Sequence, residues 1–191
     1  GHAVWLCGAD GLCTEPSGAL LATAVRVEAS PDWLERAREA EPEAIDLDTV
    51  GVVWVRTSPG RADRPGLHAL LIQQLQLHAA RGHLVLNDPG GLLRASTKLY
   101  LHRFPAWTRP ATLVSASEER LRRFVREQDG RCVFKPVDGS QGRDVFLIHG
   151  PDDPNLSAIV SHLKRPGPFM AQAVVPEAAE GDTRLLLLDG R

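Results

Sequence analysis

Lys135 closes a short apolar run, Val133-Phe134-Lys135, and is followed by Pro136-Val137-Asp138-Gly139-Ser140-Gln141-Gly142-Arg143-Asp144 before a second apolar run at residues 145–148. A strand, a basic turn with two glycines and a returning strand can hold a polyphosphate. The lysine is a fixed positive charge, and Gly139 and Gly142 let backbone N–H groups come close to an anion and turn inward. The same residues also describe an ordinary hairpin with an Asp-Gly turn and a lysine at its rim.

Other residues of this chemical kind lie along the chain. Lys98-Leu99-Tyr100 follows Asn87-Asp88-Pro89, Gln172-Ala173-Val174-Val175 ends a third apolar run, and Gly181-Asp182-Thr183-Arg184 precedes four leucines. In this order and spacing the sequence resembles bacterial glutathione synthetases, carboxylate–amine ligases of the ATP-grasp superfamily. The resemblance is dense from Asp48 to the last residue and thinner before it. It implies that Lys98 and Lys135 contact the phosphates of ATP, under a mobile flap formed by Gly139, Ser140, Gln141 and Gly142. It implies that the backbone of Gln172, Ala173, Val174 and Val175 hydrogen-bonds adenine, that Asp182 faces the ribose and that Arg184 faces the reacting phosphate. Arg56 ends a strand-like run, where it could pair with a substrate carboxylate or stand as a surface charge.

The resemblance implies ATP-dependent joining of γ-glutamyl-cysteine to glycine through an acyl phosphate, with small-molecule substrates. Bacterial glutathione synthetases often assemble as homo-oligomers, an expectation that extends to this chain. Several residues depart from the family pattern: Leu93 for a usual arginine, Ser96-Thr97 for Asn-Glu, Gln141 for a glycine, Thr183 for a lysine, and Ala173 and Val174 for larger residues. They motivate two alternatives, another peptide-forming ATP-grasp ligase or a degenerate module that binds ATP without catalysis. The resemblance also implies a fragment. The family's first strand and helix would precede Gly1, and its C-terminal catalytic segment, with the Mg²⁺ ligands, would follow Arg191. On that reading residues 1–191 alone do not turn over. No metal cluster is expected among them.

Val- and Leu-rich segments near residues 3–6, 19–27, 50–56 and 83–87 alternate with helical periodicity, an α/β pattern that predicts a parallel sheet. The helix at 66–81 places Leu67, Leu70, Leu71 and Leu75 on one face. A helix carrying Lys98 and Tyr100 is expected to run to Pro105 and Pro110. Ser115 and Glu118 have capping-box spacing ahead of a helix with Leu121, Phe124 and Val125 inward and Arg120, Arg122, Arg123 and Arg126 as a solvated face. Residues 112–188 then read as helix, strand, strand, helix, strand, strand, an α+β unit with an antiparallel sheet and helices on one face; the last strand covers 184–188. With the resemblance, the expected architecture is an N-terminal parallel-sheet, Rossmann-like pre-ATP-grasp domain over residues 1–93, followed over residues 94–191 by the small α+β subdomain of an ATP-grasp fold.

Bulk composition narrows the classes. A formal charge of −2 gives no basic stripe able to neutralise the roughly 6–10 phosphates of a nucleic-acid footprint. No run approaches the roughly 18 apolar residues of a membrane helix, and no signal-peptide pattern opens the chain, so the cytoplasm is expected. Cys7, Cys13 and Cys132 lack C-x-x-C spacing, so neither a disulfide framework nor a zinc site follows from them.

Overall fold

The computed structural model describes residues 2–57, 66–138, 142–165 and 167–187, which fall into two compact units divided between Thr97 and Lys98. Gly139, Ser140 and Gln141 of the expected flap and Leu188 of the expected last strand lie outside the described residues.

In the first unit, β1 (Val4–Thr14), β2 (Leu20–Val27) and β3 (Glu43–Asp46) form an antiparallel sheet in the order β1-β2-β3. This corrects the expected parallel arrangement. β1 does not stop at residue 6; it continues through Gly8 and Gly11 with a register irregularity between Cys7 and Leu12. Only a tight turn then separates β1 from β2, with the Glu15 N–H donating to the Ala19 carbonyl at 2.9 Å and Gly18 at φ 85°. So short a connection permits antiparallel pairing alone, because parallel neighbours need a crossover of about a dozen residues or more. Among the described residues one such crossover occurs: β4 (Val53–Trp54) pairs in parallel with β5 (Val85–Leu86), and α2 (Leu67–Ala80) lies between them in sequence. α1 (Trp33–Glu39) buries no residue, and α3 (Pro89–Arg94) begins at Asp88, whose carboxylate accepts from the Gly91 N–H.

The buried side of α2 is His68, Leu71, Ile72, Leu75 and His78, whereas Leu70 is exposed. The expected leucine face is therefore rotated, because two of its true members are histidines that a reading of apolar periodicity passes over. Leu71, Ile72 and Leu75 pack with Leu20, Ala22, Ala24, Leu47 and Val85 into the core of this unit. At about 25 cal/mol per Å² of apolar surface removed from water, that burial is its main source of stability.

The second unit opens with short 3₁₀ stretches, Lys98–Arg103 and Ala106–Thr108, where one helix was expected to run to the prolines. Pro105 and Pro110 lack the N–H that a continuous α-helix would use. Then follow β6 (Thr112–Ser115), α4 (Glu118–Glu127), β7 (Cys132–Lys135), β8 (Phe146–Ile148), α5 (Leu156–Leu163) and β9 (Phe169–Ala173). The strands form one antiparallel sheet in the order β6-β9-β7-β8. Leu121, Phe124 and Val125 of α4 and Leu156, Val160 and Leu163 of α5 pack with Cys132, Phe134, Ile148, Phe169 and Ala171 in a single core.

Strand alternation turns Thr112, Val133, Lys135, Met170 and Gln172 to the opposite face of this sheet. Ser117, not Ser115, caps α4: its hydroxyl accepts from the Arg120 N–H at 3.4 Å, while Ser115 Oγ accepts from the Ser117 N–H at 3.0 Å. The strand expected at 184–188 is not formed over its described part. Residues 181–187 carry no regular secondary structure, and Leu185, Leu186 and Leu187 are 78%, 89% and 73% exposed. A strand exists only against a partner, and this sheet ends at β6 and β8. No helix among the described residues is long and apolar enough to cross a membrane.

Candidate functional site

The face of the second unit's sheet away from α4 and α5 holds a connected polar group. Lys135 is the last residue of β7, and its Nζ donates to Gln172 Oε1 at 2.7 Å. Val133 and Thr112 both lie opposite Gln172 in their respective ladders, so Lys135 meets it diagonally across the strands. The Gln172 amide donates in turn to Thr112 Oγ1 at 3.0 Å, and Thr112 Oγ1 donates to the Pro110 carbonyl at 2.8 Å. Gln172 is only 8% exposed, so both ends of its amide need these partners.

Lys98 reaches the same region from the 3₁₀ stretch. Its backbone N–H donates to the Val137 carbonyl at 2.9 Å and its Nζ to the Asp138 carbonyl at 3.0 Å. Of the two lysines, one thus enters from the start of the unit and the other from a central strand. Burial draws the Lys98 pKa below the ordinary lysine value, an effect that Asp138 partly offsets. Burial also lowers Lys135, and the neighbouring charge of Lys98 lowers it further. Two partly desolvated cations that press on each other in this way are stabilised by an anion placed between them.

Of the expected adenine segment, Gln172 and Ala173 complete β9, and Val174 and Val175 follow it. The Ala173 N–H donates to the Ala111 carbonyl at 2.9 Å. That donor is therefore committed within the fold. The Gln172 contribution lies in its side chain as well as its backbone, a role the sequence did not suggest because it depends on strand register. Thr112 and the Asp138 carbonyl likewise escape a reading of the sequence; Thr112 sits in β6, a strand that sequence periodicity does not separate from its surroundings.

Asp182 and Arg184 are exposed on the irregular stretch 181–187, and no hydrogen bond or ion pair among the described residues joins them to the lysines. Gly142 follows the undescribed flap residues with φ 72°, a left-handed conformation that suits glycine. Arg56, in the first unit, lies just past β4 with its guanidinium 5.1 Å from the centroid of the Trp54 ring. An open depression at the loop 149–155 is lined by neither lysine.

Comparison with known proteins places this arrangement in a lineage. Residues 97–191 match the family model described as prokaryotic glutathione synthetase, ATP-grasp domain. The chain is 36% identical to the glutathione synthetase of Yersinia pestis over 161 residues, covering 83% of this chain and 48% of that protein. It is 37% identical over 169 residues to that of Pseudomonas syringae pv. tomato, covering 87% and 50%. With that of Vibrio cholerae the identity is 34% over 178 residues, covering 91% and 53%. The chain thus spans about half the length of the curated relatives it matches. Among solved structures, a D-cycloserine synthetase shares the fold at a TM-score of 0.53 and 21% identity, covering 70% of this chain and 47% of that one.

Proposed function

From the premise that this chain belongs to the prokaryotic glutathione synthetase family through its residues 97–191, we propose that it forms the nucleotide-holding part of an ATP-dependent carboxylate–amine ligase that joins γ-glutamyl-cysteine to glycine. The observation that carries this reading is the convergence of Lys98 and Lys135 on one sheet face. A triphosphate brings several negative charges to a partly desolvated place, and paired ammonium groups balance them where isolated surface lysines would contribute about 0–1 kcal/mol. In the reaction, a carboxylate oxygen of the acyl donor attacks the γ-phosphorus and ADP leaves; the glycine nitrogen then attacks the acyl carbon, phosphate departs and the amine loses its proton.

Within this proposal Lys98 and Lys135 hold the phosphates, Gly139, Ser140, Gln141 and Gly142 cover them, and Gln172, Ala173, Val174 and Val175 line adenine. Asp182 is assigned to the ribose, Arg184 to the transferring phosphoryl group and Arg56 to a substrate carboxylate. Mg²⁺ would supply charge neutralisation between the phosphates. Among the described residues of the second unit no three His, Cys, Asp or Glu ligand atoms converge into a set that would hold the ion. Cytoplasmic location and homo-oligomeric assembly belong to the same proposal.

Binding of ATP to the 191-residue chain tests the site. Lys135→Met and Lys98→Met should each weaken ATP binding at least about tenfold, or about 1.4 kcal/mol; unchanged affinity in both removes the basis of the assignment. Activity is tested on the full-length protein, by ADP release with γ-glutamyl-cysteine and glycine against other amines. The departures at Leu93, Ser96, Thr97, Gln141 and Thr183 favour one second reading, a module that binds ATP and transfers nothing. That reading wins if ATP binds but no amine supports ADP release.

A further inference from the structure

His78 is the one fully buried histidine of α2's inner face, with a side chain 0% exposed, and both of its ring nitrogens lack a hydrogen-bond partner. An imidazole buried with two unsatisfied polar atoms is costly unless something else engages it. What surrounds it is specific. Asp48, in the 3₁₀ turn Leu47–Thr49, places Oδ1 at 3.5 Å from His78 Nδ1 and 3.3 Å from His83 Nε2. The ligand atoms of Asp48, His78 and His83 all lie within 4.8 Å of one another. The other carboxylate oxygen of Asp48 is paired with Arg81, which fixes the carboxylate and leaves Oδ1 toward the histidines. Asp46 adds negative charge nearby, and its carboxylate accepts from the Asp48 N–H at 2.9 Å.

We propose that Asp48, His78 and His83 bind a divalent transition ion of the zinc class, which ties the turn Leu47–Thr49 to the end of α2 and to the turn before β5. Two imidazoles and a carboxylate are a recurrent zinc donor set, and bonds of about 2.0–2.2 Å in tetrahedral geometry separate the ligand atoms by about 3.3–3.6 Å. The two contacts of Asp48 Oδ1 already have that spacing. A carboxylate that binds metal through one oxygen and an arginine through the other is held in orientation by its outer partner, the role of Arg81 here.

One adjustment is needed. The rings of His78 and His83 are stacked, with centroids 4.2 Å apart and planes 6° from parallel, and parallel rings cannot aim both lone pairs at one point. His83, whose side chain is 25% exposed, is the ring free to turn about its Cβ–Cγ bond, a broad torsion with a shallow preference. The site is distinct from any Mg²⁺ bound with nucleotide phosphates, since Mg²⁺ selects oxygen ligands and this set is rich in nitrogen. The sequence hid it: Asp48 stands 30 positions before His78 (78 − 48), so no short metal motif links them.

The test is titration of the intact chain with ZnCl₂ and, separately, MgCl₂, read by calorimetry and thermal unfolding. One equivalent of zinc should bind and raise the unfolding temperature, with no such effect from magnesium. His83→Ala should lower zinc affinity by at least about tenfold, since even loss of an outer-shell partner costs about that much. His162→Ala, which removes the exposed ring lying 3.2 Å from Asp144, should leave it unchanged. Equal affinity in wild type and His83→Ala overturns the proposal, as does the absence of stoichiometric zinc binding. If His83→Ala does not fold, Co²⁺ added to the wild-type chain decides. A strong visible band of four-coordinate Co²⁺ with nitrogen ligands supports the site; a weak octahedral spectrum, or a thiolate charge-transfer band from the cysteines, overturns it.

Discussion

Gln172 ties Lys135 to Thr112 of β6. Its carbonyl oxygen accepts from Lys135 while its amide nitrogen donates to Thr112, so the direction of the chain is fixed and no apolar residue can replace it. Gln172→Leu should destabilise the ligand-free chain by about 1–3 kcal/mol through the donor and acceptor it leaves behind, measured by urea unfolding, and should also weaken ATP binding. Cys132 illustrates the opposite environment on the other face. It is fully buried, and desolvation raises its thiol to about 11 from 9.0. The folded chain then keeps a proton that the unfolded chain loses, so stability present below pH 9.0 is lost as pH rises toward about 11. The loss is on the order of 2 kcal/mol, and a series of unfolding curves from pH 8 to 11 should show it in wild type and not in Cys132→Ala. Lys98 and Lys135 act with the reverse sign, since their pKa values are lowered. The cost of their charge is fully present at neutral pH and fades as pH climbs through the lowered values toward 10.5. Lys135 was legible as a candidate because a basic residue at the end of an apolar run, before glycines, stands out in one dimension, whereas Lys98 was singled out only by the family resemblance. Their partners were not, because Gln172 and Thr112 reach Lys135 only through the order β6-β9-β7.

At the level of elements, α4 shows what charge patterning conceals. Four arginines on it read as a solvated face, yet Arg122 donates to Glu118 Oε1, to the Pro151 carbonyl at 2.7 Å and to Ser157 Oγ at 2.8 Å, fastening α4 to α5 and the loop before it. Hydrogen bonds from Ser157 and then from Arg122 hold the Glu118 carboxyl below its usual range. Arg122→Ala should therefore cost about 1–2 kcal/mol, while Arg123→Ala, whose ion pair with Glu127 is exposed, should stay within about 0.5 kcal/mol; thermal unfolding of the two variants separates them. The apolar face of α4 was readable because Leu121, Phe124 and Val125 recur at helical spacing. The sheet of the first unit was misread for a physical reason already visible in β1: glycines at positions 8 and 11 interrupt the apolar run without ending the strand. Length of connection, which decides pairing direction, could not be judged until the end of that strand was known.

Across the whole molecule, the two units have separate hydrophobic cores, and the two candidate ligands address different ones. Hydrogen exchange should report them independently. Saturating ATP, at about 100 times its dissociation constant, adds about 2.7 kcal/mol to whatever it binds. Its protection should appear in the strands β6, β7 and β9, while zinc slows exchange around Asp48, α2 and His83. A pattern in which ATP protects only the first unit would contradict the placement of the nucleotide beside Lys98 and Lys135. The run Leu185, Leu186 and Leu187 has a consequence of another kind, since all three stay wet. Oily side chains side by side on an irregular segment should give that region an affinity for hydrophobic dyes and detergent monomers, and make it a point from which concentrated stocks turn cloudy.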